Sequence, residues 1–142
     1  MTYPLISIIT VTKNSENFLE ENILSVKNQK FKNYEHIIID GQSSDKTIDI
    51  IKKYNADISY WISEKDNGLY DAINKGIEKS KGKIIGILNS DDIYYPGALD
   101  YVNYYFNNFP SIDFLFGTVI KYKKLHGFNP KKIRWSFGFY TT

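Results

Sequence analysis

Three short apolar runs along the chain share one plan, since each ends abruptly in polar, loop-forming residues. They span residues 6–12, 36–40 and 83–88. Isoleucines at consecutive positions suit strands that are covered on both faces, as in a parallel sheet. The pattern therefore predicts three core strands of a mostly parallel sheet.

Between these strands, apolar residues recur at helical spacing and predict helices over about residues 15–29, 45–54, 69–81 and 96–106. Asn14-Ser15 is a good N-cap pair for the first helix. Gly82 stands where a C′ glycine would end the third helix, and Pro96 stands where the first residue of the fourth is expected.

Two further runs, residues 58–62 and 112–122, are typical of strands. Alternation of strands and helices favours an α/β, doubly wound architecture. Neither an internal repeat nor a linker interrupts the pattern. We therefore expect a single domain over residues 1–142.

Composition narrows the class of protein. The 142 residues are 42% hydrophobic and 24% charged, with a net charge of +2, which is too small to indicate a nucleic-acid partner. The absence of cysteine excludes disulfides and thiolate chemistry. No apolar run approaches the roughly 20 residues of a membrane span, and the N-terminus lacks the regions of a secretory signal. We expect a cytoplasmic protein.

The strand ends are the expected binding site, because ligands of open α/β sheets bind beyond the carboxyl ends of the strands. Neither a G-x-G-x-x-G motif nor a P-loop follows the first strand. The third strand instead ends in Asp91-Asp92, two carboxylates that repel by about 4 kcal/mol at 4 Å and an effective dielectric near 20. A divalent cation bound together with phosphates would offset that repulsion.

A structural alternative for the acidic pair stays open at this stage. Successive side chains of a continuing strand point to opposite faces, so Asp91 and Asp92 need not meet. One of them would then simply cap the helix that begins near Pro96.

Four segments together resemble a known family. They read SIITVTKN, DGQSSDKT, SEKDNGLYDAINKGI and GKIIGILNSDD, within residues 7–95. In this order and spacing they resemble the family-two glycosyltransferases of the GT-A fold, and more narrowly the bacterial branch that builds surface polysaccharides. The resemblance implies a Rossmann-like, mostly parallel sheet flanked by helices.

The resemblance implies a nucleotide site. Val11, Thr12, Lys13 and Asn14 would lie beside the base and ribose. Asp40 would accept a hydrogen bond from the base, commonly a uracil N–H. Further along, the implied pocket residues are Asp71, Asn74 and Lys75.

The resemblance also implies a metal. Asp91 and Asp92 correspond to the DxD-like element of the family, with Asp91 facing the ribose or the metal and Asp92 the more direct ligand of Mn²⁺ or Mg²⁺. Asn89 stands at the first position of a strict D-x-D, so two assignments of the ligands remain.

Each of these residues has a structural rival. Asp40-Gly41 is also typical of a turn, and Thr12 and Asn14 also suit helix capping. The other rivals are a polar helix face for Asn74 and Lys75, a solvated cation for Lys13, and packing or rim positions for Tyr70, Tyr94 and Tyr95.

The implied reaction is inverting transfer of a sugar from a nucleoside-diphosphate sugar, commonly UDP-linked, to a polysaccharide or lipid-linked acceptor. The metal would stabilise the departing diphosphate, and a carboxylate would act as general base. Domains of this family continue past the equivalent of Thr142, so we expect that base beyond Thr142, assign no catalytic residue, and expect a C-terminally truncated donor-binding half. The alternative is a non-catalytic nucleotide-sugar-binding module, or an inactive fragment that needs a partner.

The segment from Lys121 to Arg134 holds six basic residues and no acid. One interpretation is a patch that contacts an anionic, lipid-linked acceptor at the inner face of the membrane. The other is a solvated, hairpin-like segment whose aromatic residues favour homo-oligomers when exposed.

Overall fold

A six-stranded mixed sheet forms the centre of the computed structural model, which describes residues 4–117 and 138–141. The strands in chain order are β1 Ile6–Thr12, β2 Tyr34–Asp40, β3 Tyr60–Ser63, β4 Ile84–Ile87, β5 Phe114–Phe116 and β6 Gly138–Thr141. Their order in the sheet is β3-β2-β1-β4-β6-β5. The predicted strand at residues 6–12 is confirmed with its bounds, whereas β2 begins two residues earlier than predicted.

Four neighbouring strands, β3, β2, β1 and β4, are parallel. β1 pairs with β2 on one side and β4 on the other, and β2 pairs with β3. Only the edge that contains β5 and β6 is antiparallel. In the register, Thr12 lies beside Asp40, and Asp40 lies beside Ser63. The carboxyl ends of three strands are therefore adjacent, as the predicted mostly parallel sheet requires.

Helices cover both faces of the sheet. They are α1 Leu19–Lys27, α2 Thr47–Lys53, α3 Leu69–Lys79 and α4 Ala98–Asn108, with a 3-10 turn at Asn55–Asp57. Every residue of β1 is buried. Ile6 and Ile8 pack in the cluster that includes residues of α1 and α4, whereas Ile9 and Val11 pack with α3 on the other face. The consecutive isoleucines thus serve a strand with two buried faces.

Two predicted helix starts are wrong. α1 begins at Leu19, and its N-cap is Phe18 with no side-chain cap, not the pair Asn14-Ser15. α4 begins at Ala98 after Gly97, whose φ of +83° is a left-handed conformation that glycine adopts readily. Pro96 therefore precedes the helix instead of opening it.

Gly82 is not the C′ residue of α3, as predicted, because α3 ends at Lys79 and Ser80 follows as its C-cap. Its backbone instead approaches β1 closely. The Gly82 N–H donates to Ser7 Oγ over 2.8 Å. A Cβ at this position would lie 2.6 Å from the backbone nitrogen of Ser7, so the position requires glycine for space.

The remaining predictions lie partly outside the described residues. β3 is displaced toward Ser63 relative to the predicted residues 58–62, and β5 covers only part of the predicted residues 112–122. The basic segment from Lys121 to Arg134 lies outside the described residues. Within the described part of the chain, no helix has both the length and the apolar composition to cross a bilayer.

Replacing Gly82 by alanine should lower the free energy of unfolding by about 2 kcal/mol, because the added methyl group forces β1 and the start of β4 apart. Urea denaturation followed by circular dichroism measures this loss. Gly117→Ala is the matched control, since a Cβ there meets nothing within 4 Å, and it should change stability by less than about 0.5 kcal/mol. Equal stability of the two variants would contradict the close approach.

Candidate functional site

The loops that follow β1, β2 and β4 are joined by hydrogen bonds at one edge of the sheet. Asn14 N–H donates to Ser43 Oγ over 2.8 Å, and Ser44 N–H donates to Asn14 Oδ1 over 2.9 Å. On the other side of β1, the hydroxyls of Ser15 and Ser90 lie 2.8 Å apart. The Asp40 corner and the Asn89–Asp92 corner therefore flank the same loop. We call these joined loops the strand-end site.

Asp40 is fully buried and organises its own loop. Its carboxylate accepts hydrogen bonds from Ser43 N–H at 2.9 Å, Ser43 Oγ at 2.5 Å and Ser63 Oγ at 2.6 Å. The turn alternative therefore describes part of its role. A carboxylate has about four acceptor positions, and three hydrogen bonds already occupy positions of the Asp40 carboxylate. A base would have to reach a further lone pair or displace Ser43, so contact between Asp40 and a base stays a prediction.

The acidic pair lies on a turn just beyond β4, where Asp92 N–H donates to Asn89 O over 3.0 Å. Asp91 is exposed and Asp92 is partly buried. Burial raises the pKa of the Asp92 carboxyl, and the charge of Asp91 raises it further, against the opposing hydrogen bond with Asn89. α4 has no side-chain cap, so the alternative in which one of these residues caps that helix is wrong.

The donor set at this corner fits a cation that binds together with a phosphate ligand. No group of three or more acidic or histidine side chains within the described residues is arranged to hold a metal. Asp91 and Asp92 alone supply carboxylates at this turn, and Mg²⁺ is commonly held by one or two carboxylates plus phosphate oxygens. Burial and, after it, the charge of Asp91 raise the pKa of the Asp92 carboxyl, so its negative charge is less favourable here than in water and a bound cation would offset that.

The end of β1 supplies a buried polar group. Val11 and Thr12 are both buried, and Thr12 Oγ1 has no hydrogen-bond partner among the described residues. Lys13 is exposed and lies against Gly41. Asn14 adopts a φ of +50° and bonds the neighbouring loop, so neither Thr12 nor Asn14 caps α1.

Two of the three residues predicted on α3, Asp71 and Lys75, form an ion-pair network with Glu64. Asp71 accepts a hydrogen bond from Asn67 N–H at 3.0 Å, which lowers the pKa of its carboxyl, and Lys75 lowers it further. Lys75 Nζ lies 3.3 Å from Asp71 and 2.8 Å from Glu64. Asn74 is exposed. Lys75 thus has structural partners, in agreement with the polar-face alternative.

The tyrosines differ in burial. Tyr70 is exposed and Tyr94 lies in the core, while Tyr95 is half-exposed. Of these, Tyr94 confirms the packing interpretation.

Several residues at the site were not predicted. Asp66 lies against Gly41 and accepts the Gly68 N–H at 3.0 Å, which attaches the loop before α3 to the end of β2. Ser43 and Ser63, which hold Asp40, were also missed. The string DGQSSDKT contained Ser43, but nothing local shows which of its hydroxyls faces a carboxylate.

A buried chain of hydrogen bonds leads from the sheet to the acidic turn. Thr10 Oγ1 donates to Asn22 Oδ1 over 3.2 Å, and His36 Nε2 lies 2.9 Å from Thr10 Oγ1. Because the Thr10 proton is used toward Asn22, His36 Nε2 must carry the proton of the neutral ring. Its Nδ1 has no hydrogen-bond partner in the described structure.

Comparison with known proteins gives a family match over most of the chain. The family model described as glycosyl transferase family 2 matches residues 7–142. An uncharacterized glycosyltransferase of Methanocaldococcus jannaschii is 36% identical over an alignment of 124 residues, which covers 84% of this chain and 43% of that protein. The putative teichuronic acid biosynthesis glycosyltransferase TuaG of Bacillus subtilis is 35% identical over 68% of this chain and 40% of its own. The chain therefore spans less than half of these relatives.

Solved structures show the same fold. TarS of S. aureus, residues 1–349, superposes with a TM-score of 0.72 at 24% identity, over 78% of this chain and 34% of TarS. The mannosyltransferase PcManGT of Pyrobaculum calidifontis, in complex with GDP-Man and Mn²⁺, gives a TM-score of 0.72 at 19% identity, over 80% of this chain and 35% of its own. At such identities the likeness concerns the fold alone, and it confirms the predicted GT-A architecture.

Stability should fall between pH 6.5 and pH 4 because of His36. Burial lowers the pKa of this histidine from its ordinary 6.5 to about 4, so the unfolded chain binds a proton in this window and the folded chain does not. The stabilisation is complete above pH 6.5, and about 3 kcal/mol is lost by pH 4.

Urea denaturation across this pH range, with His36→Gln as the comparison, measures that loss. Glutamine offers an amide donor toward Thr10 but does not titrate, so the difference between the two stability curves should shrink as pH falls. Carboxylates titrate in both proteins and cancel in the difference. Parallel curves would show that His36 is not held neutral.

Proposed function

Because this chain belongs to glycosyl transferase family 2, we propose that its strand-end site binds a nucleoside-diphosphate sugar for transfer, with inversion, to a polysaccharide or lipid-linked acceptor. One observation carries the proposal. The Asp40 loop and the Asp91–Asp92 turn are both bonded to the loop after β1 at one edge of the sheet. A nucleoside and its diphosphate need two such neighbouring regions.

In this proposal the nucleoside lies over the ends of β1 and β2. Val11, Thr12, Lys13 and Asn14 line the base and ribose, and the buried Thr12 hydroxyl without a partner supports a polar contact there. Asp71 and Asn74, in the first two turns of α3, close the pocket. The attachment of the preceding loop to Gly41 through Asp66 supports their proximity to the Asp40 corner.

The diphosphate lies at the acidic turn, where Asp92 is the more direct metal ligand and Asp91 faces the metal or the ribose. A bound Mn²⁺ or Mg²⁺ supplies Lewis-acid stabilisation of the charge on the diphosphate. The presence of Mn²⁺ in PcManGT supports a divalent ion. Asp91 and Asp92 are neighbours on this turn, where burial and, after it, the charge of Asp91 raise the pKa of Asp92.

The proposed base is uracil. TarS has been solved with UDP and with UDP-GlcNAc, which supports a uridine donor, whereas PcManGT carries GDP-Man, so the fold admits another base. Asp40 would accept the uracil ring N–H. Its fixed orientation by Ser43 and Ser63 supports a preorganised acceptor.

The acceptor is proposed to be a polysaccharide or a lipid-linked glycan at the cytoplasmic face of a membrane. The similarity to TuaG, a putative teichuronic acid biosynthesis glycosyltransferase, supports a polymer acceptor. No residue of the described structure is assigned as general base, and membrane contact and homo-oligomer formation stay predictions.

Asp92→Asn should abolish the enhancement of UDP binding by Mn²⁺. The wild-type chain should bind UDP at least tenfold more tightly with Mn²⁺ than without it, because the diphosphate completes the ligands of the ion. The variant keeps the shape of the side chain but loses a metal-binding charge. Titration calorimetry with UDP, in the presence and absence of Mn²⁺, measures both affinities.

Glu78→Gln is the matched control, since it removes one negative charge from an exposed position near the other end of α3. It should leave the enhancement unchanged. UDP binding that ignores both Mn²⁺ and the Asp92 substitution would contradict the proposed diphosphate site. Intact binding without any sugar transfer or hydrolysis would favour the binding-module alternative.

Asp40→Asn should remove the preference for UDP over GDP. The carboxylate is the proposed acceptor of the uracil N–H, and an amide presents a donor in its place or turns its oxygen away from Ser43 and Ser63. Competition of UDP and GDP for a fluorescent nucleotide measures the preference. Ser63→Ala, which removes one internal hydrogen bond and keeps the carboxylate, should retain it, and an equal loss in both variants would assign Asp40 a structural role only.

A further inference from the structure

Three polar residues, two on α1 and one just after its end, face the segment that carries the acidic pair. Asn22, Ser25 and Gln29 are spaced by three and four residues, so they share one face around the end of the helix. Asn22 and Gln29 are fully buried. We call these three residues the α1 polar stripe.

The stripe hydrogen-bonds the backbone of the segment between β4 and α4. Asn22 Nδ2 donates to Asn89 O at 2.9 Å and to Asp92 O at 2.8 Å. Gln29 Nε2 donates to Tyr95 O at 2.9 Å. Two backbone N–H groups bond back to the stripe, Tyr94 to Ser25 Oγ at 3.1 Å and Leu99 to Gln29 Oε1 at 3.3 Å.

This segment has no regular structure of its own. β4 ends at Ile87 and α4 begins at Ala98, and beyond the Leu88 N–H, which donates to Ile9 O on β1, the backbone bonds within the segment are those of two turns. Other buried backbone groups need hydrogen-bond partners, and the side chains of the stripe provide several of them. The stripe, together with the Ser15–Ser90 contact, therefore holds the path of the chain around Asp91 and Asp92.

The orientation of Asn22 is fixed as well. Its oxygen accepts the proton of Thr10, whose own oxygen accepts from His36. Only one orientation of the amide satisfies Thr10 and still directs Nδ2 at both carbonyls of the acidic turn. Since the two carbonyls belong to the residues on either side of Ser90 and Asp91, one side chain holds both ends of that turn.

Packing alone does not call for polar residues here. The neighbours of Asn22 on the same helix, Ile23 and Val26, are buried apolar residues of the core, and buried amides are tolerated only when their hydrogen bonds are satisfied. The stripe nevertheless places polar groups against an irregular segment, and that segment carries Asp91 and Asp92.

We propose that Asn22, Ser25 and Gln29 are positioning residues, which hold the Asp91–Asp92 turn in the orientation that receives the diphosphate and its divalent ion without touching either. This inference rests on the proposed function. The three residues contact neither the ion nor the diphosphate in this proposal. They lie on or just after α1, which carries none of the residues assigned to the ligand above.

Asn22→Leu tests the inference in the 142-residue chain. Leucine has a similar volume but leaves the carbonyls of Asn89 and Asp92 without their donor. The measurement is UDP affinity by calorimetry with and without Mn²⁺, below the unfolding temperature. We expect UDP affinity with Mn²⁺ to fall by about 10–100-fold, the range for outer partners of metal ligands, and affinity without Mn²⁺ to change by less than about threefold.

Ile23→Ala is the matched control, because Ile23 is equally buried on α1 but packs in the cluster with α2. It lowers thermal stability without removing a bond to the acidic turn. The ratio of UDP affinities with and without Mn²⁺ should therefore stay at the wild-type value in Ile23→Ala and collapse in Asn22→Leu. A merely structural role would lower stability in both variants and change the ratio in neither.

Milder variants keep the test decisive if Asn22→Leu does not fold. Ser25→Ala removes the acceptor of Tyr94 N–H, and Gln29→Met removes the bonds to Tyr95 and Leu99 with little change of shape. Each should lower the Mn²⁺ enhancement severalfold, and wild-type enhancement in both would overturn the inference.

The outcomes separate the two proposals. Mn²⁺-enhanced UDP binding by the wild type, with the same enhancement in the stripe variants, would overturn the positioning role and leave the proposed function intact. Wild-type protein that binds UDP without any response to Mn²⁺ would overturn the metal-assisted diphosphate site, and the positioning role with it. Loss of enhancement in the stripe variants but not in Ile23→Ala supports both.

Discussion

The parallel pairing of β1 with β2 on one side and β4 on the other is the constraint on which the rest of the structure depends. Parallel neighbours bring their carboxyl ends to one edge. That edge therefore collects three loops that are far apart in sequence, and the hydroxyls of Ser15 and Ser90 meet there across 75 residues. The pairing requires a strand with two buried faces, which the isoleucines of β1 provide.

The sheet decides where the acidic turn begins, but buried polar groups decide its shape. The chain from His36 through Thr10 to Asn22 crosses the core and ends on the backbone of the turn. Each of these groups costs desolvation that an apolar residue would not. For His36 this cost appears as a pKa that burial lowers, so that the ring stays neutral. Part of the core is thus committed to the geometry of one loop.

The sequence predicted the elements whose evidence is local. Consecutive apolar residues identified β1, and strand-end acids identified Asp40, Asp91 and Asp92. It failed where one residue type suits two tasks. Asn14-Ser15 has the composition of a helix cap, yet these residues bond neighbouring loops.

Other failures have the same origin in long-range contacts. Position 82 requires glycine because a Cβ there would come too close to Ser7, 75 residues away, and not because its backbone has a positive φ. Asn22 falls on the buried face of α1 together with Leu19, Ile23 and Val26, but its position on that face does not reveal what its amide bonds. The partners of Asn22 and Gln29 lie 66 to 70 residues further along the chain, so no local pattern identifies them. The carboxylates at the strand ends are evident in the sequence, whereas the residues that hydrogen-bond them and their turns are not.

The two halves of the strand-end site differ in how complete they are without a ligand, and this difference bears on the proposed function. Asp40 is fully buried and already has three internal hydrogen bonds, so the half proposed for the base is held in place, and a base reaches the carboxylate only through a further lone pair or after Ser43 turns. The backbone of the acidic turn is held by the α1 polar stripe, but burial and, after it, the charge of Asp91 raise the pKa of Asp92 and disfavour its charged form. Binding energy at that half must therefore come from the ion and the diphosphate together, because two carboxylates make a poor metal site alone. The held backbone of the acidic turn, with its two carboxylates, favours a ligand that brings a cation with it, as a metal-bound nucleoside diphosphate does.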